Sequence, residues 1–211
     1  MQETETGSAA PLRLGFLASG GGSNMQAILD ACEQGWLLAK PCVVVGNNSK
    51  SGALKRAQAA GIECRHLSSH THPDPAALDE AICRALTEHD VQAVCLAGYM
   101  KLLGRQMLAT FRGHIINIHP GLLPRHGGQG FYGNRVHEAV LAAGDRESGA
   151  TVHIVDEVYD NGPVLAQARI PVEAGDTPET LADRVLAQEH RLYPETLQKI
   201  ALGEIDLGQY A

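Results

Sequence analysis

The sequence predicts an α/β protein with a doubly wound, mostly parallel central sheet flanked by helices, Rossmann-like in its N-terminal half. Three observations carry this. Short apolar runs alternate with helix-periodic stretches along the chain, the first run ends in the glycine turn Ser19-Gly20-Gly21-Gly22-Ser23-Asn24, and no internal repeat or linker interrupts the alternation.

The segment Leu12–Ala18 (LRLGFLA) reads as a short buried strand, after which the glycines hand over to an apolar-periodic helix over 24–35. CVVVG (42–46) is a second strand with a helix over 52–60. IECRHL is a third with a long helix over 75–89, and VQAVCLAGY a fourth with a short helix over 104–111. Strands that alternate with helices pair in parallel. HIINI (114–118) is a fifth strand, and the following HPGLLPRHGGQGFYG is too glycine-rich for either element; loops of that length are usually functional or mobile. A helix over 134–143, whose His137 is expected on a solvated or half-buried face, leads into ATVHIVDE and, past YDNG, into VLAQARIPV, two strands joined by an acidic turn. The last helix covers 177–200. Residues 12–211 therefore read as a single domain behind a disordered stretch, 1–11.

Composition narrows the function classes. The 211 residues, 44% hydrophobic and 19% charged, suffice for one sizeable core and exclude collagen-like, disordered and membrane classes. A net charge of −7 disfavours nucleic acid and anionic membranes as partners, so an anionic ligand has to be held locally. Five cysteines (Cys32, Cys42, Cys64, Cys83, Cys95) form no CxxC pair, which signals neither a disulfide framework nor structural zinc and fits a reducing cytosol. The N-terminus carries Glu3 and Glu5 and no Arg, and reads as neither a signal nor a transit peptide. His66, His70 and His72 lack a carboxylate or thiol spaced to complete a metal site, and no metal is expected.

The first glycine turn lies where strand meets helix at the carboxyl edge of a parallel sheet, where successive backbone N–H groups and the helix dipole favour an anion. Met25 stands where the dinucleotide fingerprint needs its third glycine, and Gly46-Asn47-Asn48 replaces the acidic ribose reader, which argues against NAD or FAD. No GK[ST] triplet exists, which argues against a triphosphate loop and leaves no nucleotide cofactor expected. A phosphate cradle and a tight turn capped by Ser23 or Asn24 share this geometry.

Asn117 and His119 alternate with Ile118 at the end of the fifth strand, so both side chains face one way, at the carboxyl edge, with Pro120 stopping the strand. A histidine satisfied by a backbone partner is the plain alternative. Asp160 follows 41 residues later in the acidic turn before Asn161-Gly162-Pro163, and a carboxylate beside an imidazole favours imidazolium. Amide, imidazole and carboxylate together suit stabilisation of negative charge on a carbonyl oxygen during acyl or formyl transfer. No Ser or Cys nucleophile is evident, so the attacking group is a substrate amine or water.

The segments ASGGGSN, LAGYMKLL, INIHPGLLP, GATVHIVDEVYDNGPVLAQ and AQEHRLYP resemble the phosphoribosylglycinamide formyltransferase family, in element order over about residues 12–202. The resemblance implies a formyltransferase fold and transfer of the formyl group of 10-formyltetrahydrofolate to the amine of glycinamide ribonucleotide in purine synthesis. It implies that Asn117, His119 and Asp160 are catalytic, with Asp160 keeping His119 charged and ordering water. It further implies that Gly22, Ser23 and Asn24 hold the phosphate and that Glu189 grips the ribose hydroxyls. Met100, Lys101, Leu102 and Leu103 would line the folate pocket with Asn117, while the turn from Val155 through Tyr159 to Asp160 embraces the pterin. Lys101, Leu186 and Pro75 depart from residues common in the family, and the 126–133 loop, a candidate lid, resembles the plant and cyanobacterial form. The expected partners are these small molecules alone, for a cytoplasmic monomer or homodimer. A formyltetrahydrofolate deformylase and a methionyl-tRNA formyltransferase are disfavoured by length, since both carry a further domain, and the tRNA enzyme also by charge. A non-catalytic phosphosugar-binding module has no need of Asn117, His119 and Asp160 together.

Overall fold

The alternation resolves, in a computed structural model that describes residues 10–211, into β1 (Leu12–Ala18), α1 (Ser23–Glu33), β2 (Ala39–Gly46), α2 (Gly52–Ala59), β3 (Glu63–His66), α3 (Pro75–Thr87), β4 (Ala93–Leu96), α4 (Arg105–Thr110), β5 (Ile115–His119), α5 (Asn134–Ala142), β6 (Glu147–Ile154), β7 (Val164–Pro171) and α6 (Pro178–Ala201). The stretch expected to be disordered, 1–11, lies up to residue 9 outside the described residues. The strands form one sheet in the order β3-β2-β1-β4-β5-β6-β7. β1 to β5 run parallel; β6 and β7 are antiparallel, because the short acidic turn between them permits only a hairpin.

Alternation along β1 divides the core between the two faces. Leu14, Phe16 and Ala18 pack with α1, α2 and α6, including Met25, Ile28, Ala53 and Leu181, while Leu17 packs with Ile82, Leu86 and Met107 of α3 and α4. Each large apolar side chain so buried contributes about 2 kcal/mol. α6 crosses the sheet, and its fully buried Tyr193 donates its hydroxyl hydrogen to the Ile116 carbonyl at 2.7 Å, meeting the polar requirement of an otherwise apolar contact.

Several boundaries differ from the sequence expectation, β6 for instance running over Glu147–Ile154 rather than 150–157, and three of the differences have a local reason. β2 starts at Ala39, because a register shift opposite Leu14 and Gly15 accommodates Pro41. β4 ends at Leu96, since Gly98 adopts φ +70° and turns the chain away. β5 extends to His119, which pairs with Thr151, placing Asn117 opposite His153. A final 3-10 turn, Leu207–Tyr210, was not anticipated; it buries Leu207 and is capped by Asp206. Among the described residues no helix is long and apolar enough to cross a membrane.

The sheet order reverses direction between β1 and β4, the position at which open α/β sheets form a ligand crevice. The carboxyl ends of β1, β4 and β5 meet there.

Candidate active site

The turn after β1 is shaped by close backbone packing. Gly22 caps α1 with φ +74°, and a Cβ there would stand 2.7 Å from that of Ala53, so only glycine fits. The Gly20 carbonyl accepts from Ala53 N–H at 3.1 Å and the Gly21 carbonyl from Arg56 Nε at 3.0 Å. No side chain caps α1, so its first N–H groups are open toward the crevice edge, and Ser23 and Asn24 are its first helical residues rather than its cap. Asn24 and Glu189, 165 residues apart, meet through Asn24 Nδ2 donating to Glu189 Oε2 at 2.6 Å. Burial pushes the Glu189 carboxyl up to about 7, against the pull of the Asn24 amide. Leu186 lies one turn earlier on α6, half-buried.

Ser19 links this turn to the segment after β4: Met100 N–H donates to Ser19 Oγ at 2.9 Å. Met100, Lys101 and Leu102 are exposed, Leu102 at 71%, while Leu103 packs on the second core. Across the crevice mouth Val158 and Tyr159 are exposed, while Val155 packs inward. Pro75 stands exposed at the first turn of α3 behind the Asp74 cap.

At the end of β5, His119 is buried and its Nε2–H donates to the His126 carbonyl at 2.9 Å. Its other nitrogen, Nδ1, faces Asp160 Oδ2 at 3.5 Å. The plain alternative, a histidine with a backbone partner, and the functional one are thus both realised, one on each ring nitrogen. Burial outweighs the nearby carboxylate and carbonyl and lowers the His119 pKa below its ordinary value. Burial thus opposes the charge that Asp160 is expected to maintain on His119, while the two ring nitrogens face the His126 carbonyl and the Asp160 carboxylate. Asp160 sits in the left-handed region (φ +54°), and its Oδ2 accepts from Gly128 N–H at 2.9 Å.

Asn117 is oriented by a residue that sequence reasoning missed. His153, buried on β6, donates from Nδ1 to the Ile154 carbonyl at 2.9 Å, so its Nε2 accepts from Asn117 Nδ2 at 3.1 Å. Burial lowers its pKa against the pull of the Ile154 carbonyl, Asp160 and Asp156. The signal was present in the alternation of ATVHIVDE, but only the antiparallel register reveals its partner. Thr151, also missed, donates to the Gly121 carbonyl at 2.6 Å and accepts from Leu123 N–H at 3.1 Å, anchoring the start of the loop after β5. His137 is buried rather than solvated, because α5 turns its Val136 and Val140 side inward and carries His137 with it, and burial lowers its pKa.

Asn117, His119 and Asp160 thus surround one point at the carboxyl edge, with donors and a proton acceptor but no nucleophilic side chain. Such an arrangement stabilises an oxyanion and moves a proton. Among the described residues no group of three His, Cys, Asp or Glu side chains is disposed to hold a metal.

The sequence profile described as formyl transferase matches residues 12–197. The chloroplastic phosphoribosylglycinamide formyltransferase of Vigna unguiculata is 43% identical over 189 residues, covering 89% of this chain and 60% of that protein. The trifunctional purine biosynthetic protein adenosine-3 of Bos taurus is 40% identical over 197 residues, 93% of this chain, which spans only 19% of that protein's length. The crystal structure of glycinamide ribonucleotide transformylase 1 from Symbiobacterium toebii superimposes with a TM-score of 0.86 at 40% identity, covering 93% of this chain and 90% of that one. A formyltetrahydrofolate deformylase from Pseudomonas syringae shares the fold at a TM-score of 0.73 and 24% identity, with 89% of this chain and 62% of that one covered.

Proposed function

The chain belongs to the formyl transferase family, and from that premise we propose that it is a phosphoribosylglycinamide formyltransferase. It transfers the formyl group of 10-formyltetrahydrofolate to the amine of glycinamide ribonucleotide, giving the formylated ribonucleotide and tetrahydrofolate. The relatives' names support the acceptor. The observation that carries the chemistry is the meeting of Asn117 and His119, from alternate residues of β5, with Asp160.

In this reading the open N–H groups at Gly22, Ser23 and Asn24 bind the substrate phosphate, a favourable placement for an anion at a helix start. Glu189, held by Asn24, accepts from the ribose hydroxyls. The exposed apolar rim of Met100, Leu102, Val158 and Tyr159, with Lys101, Leu103 and Val155, covers the folate. Folate supplies an activated formyl group on N10.

The neutral amine attacks the formyl carbon, and the carbonyl electrons move onto oxygen. Asn117 donates to that oxyanion with the amide hydrogen not committed to His153. His119, with Nε2–H engaged by the His126 carbonyl, has Nδ1 available to take the amine's proton, directly or through water. The imidazolium so formed is stabilised by Asp160 and returns the proton to N10 as the carbon–nitrogen bond breaks. No metal and no nucleotide cofactor enters the scheme. The cysteines, all unpaired, suit a reducing cytosol.

The test is the fate of a carbon-13-labelled formyl group on 10-formyltetrahydrofolate. The proposal expects the label in formylglycinamide ribonucleotide and none released when the acceptor is omitted. Labelled formate without acceptor would replace it with a hydrolase.

A further inference from the structure

The loop after β5 carries a cluster that the transfer scheme does not use. Arg125 and His126 both bind Asp145, in the turn between α5 and β6: an Arg125 Nη2 contacts Asp145 Oδ1, and His126 Nε2 lies 2.8 Å from Oδ2. Asp145 has a side chain only 10% exposed, and these partners, His126 first, hold its carboxyl below the ordinary range. From this anchored residue the backbone reaches directly into the site. The carbonyl of His126 accepts from His119 Nε2, and two residues on, Gly128 N–H donates to Asp160. His126 adopts φ +53°, a left-handed conformation costing about 1 kcal/mol for a residue with a Cβ, so something outside the loop has to maintain it.

We propose that Asp145 is a positioning residue for the reaction: through the His126 and Arg125 side chains it pins the backbone strap that fixes His119 as the Nε2–H tautomer and leaves Nδ1 toward Asp160 and the substrate. Without the anchor, the His126 carbonyl swings away and Nε2 loses the acceptor that holds its proton there. In molecules where Nδ1 then carries the proton, drawn by the Asp160 carboxylate, that nitrogen accepts nothing. The glycine turn and Glu189, which hold the ribonucleotide, share no hydrogen bond with the strap, so substrate binding is spared.

The experiment combines nitrogen-15 shifts of the His119 ring in the free protein with steady-state kinetics, for the wild type, Asp145→Ala, Asp145→Asn, His126→Ala and the Asp145→Ala/His126→Ala double variant. The wild type should show a protonated Nε2 and an unprotonated Nδ1. Asp145→Ala should shift both nitrogens toward averaged values and lower kcat by up to about 10²-fold, the effect of misplacing a catalytic group by roughly 1 Å, with KM for the ribonucleotide unchanged. Asp145→Asn, whose amide oxygen still accepts from His126, should keep the tautomer and most of kcat. His126→Ala should match Asp145→Ala, and the double variant should be no worse than either, since the two act as one unit.

An unchanged tautomer in Asp145→Ala and His126→Ala would overturn the proposal, as would additive losses in the double variant. If Asp145→Ala does not fold, His126→Ala carries the same test. The kinetic arm rests on the formyl-transfer reading. The ring shifts do not, so a wild type without transferase activity would defeat that reading while the tautomer result still decides this one.

Discussion

Glu189 offers a prediction whose size follows from the structure. Its carboxyl is 7% exposed, has the Asn24 amide as its hydrogen-bond partner, and is displaced from an ordinary 4.5 to about 7. At about 1.4 kcal/mol per pH unit, that displacement corresponds to roughly 3 kcal/mol of penalty for ionising the group in the folded protein. The sign follows from proton counting. Between pH 4.5 and 7 the folded chain holds this proton and the unfolded chain has released it, so folded stability is greatest below 4.5 and is lost as pH rises through 7. Glu189→Gln keeps an acceptor for Asn24 and removes the titration. Urea unfolding of both proteins from pH 4.5 to 8 should show the variant gaining on the wild type by about 3 kcal/mol across the range, every other group cancelling in the difference. A difference that stays flat with pH would refute the reasoning. The same variant should bind the ribonucleotide more weakly at pH 8, where the wild-type carboxylate is charged and accepts more strongly from hydroxyls.

Other substitutions separate the parts of the site. Asn117→Ala should lower kcat about 10²- to 10³-fold while leaving KM for the ribonucleotide nearly unchanged in steady-state assays, because the lost donor acts on charge that develops after binding. Gly22→Ala meets Ala53 at 2.7 Å in a left-handed backbone; it should destabilise the fold by about 1–3 kcal/mol in denaturant titration and raise KM for the ribonucleotide more than for the folate. Leu102→Asp, on the exposed apolar rim, should raise KM for 10-formyltetrahydrofolate by about tenfold, consistent with removing one apolar contact, with thermal stability unaltered.

The sequence was most legible where one period decided the outcome. The alternation of β1 set which residues faced which core, and Asn117 and His119 fell on one side of β5 by the same period of two. The glycine turn announced itself through residues that tolerate close approach, and Gly22 meets Ala53 as that requires. What escaped was set by pairing between distant segments. His153 acquires its role only from its register opposite Asn117, and His137 is buried only because α5 packs its Val136 side inward. The surroundings of His119 were legible only in part for a related reason: a carboxylate nearby argues for a cation, while burial works against charge and is visible only in three dimensions. The loop at 126–133 showed its length and glycine content in the sequence. Its grip on both His119 and Asp160 runs through backbone atoms, which no residue pattern encodes.

The most direct test of the account follows tetrahydrofolate release from 10-formyltetrahydrofolate spectroscopically, with and without glycinamide ribonucleotide, for the wild type and His119→Ala. The account predicts release only when the ribonucleotide is present, and its loss in the variant while ribonucleotide affinity is retained. Wild-type turnover in His119→Ala, or release that is indifferent to the ribonucleotide, would contradict it.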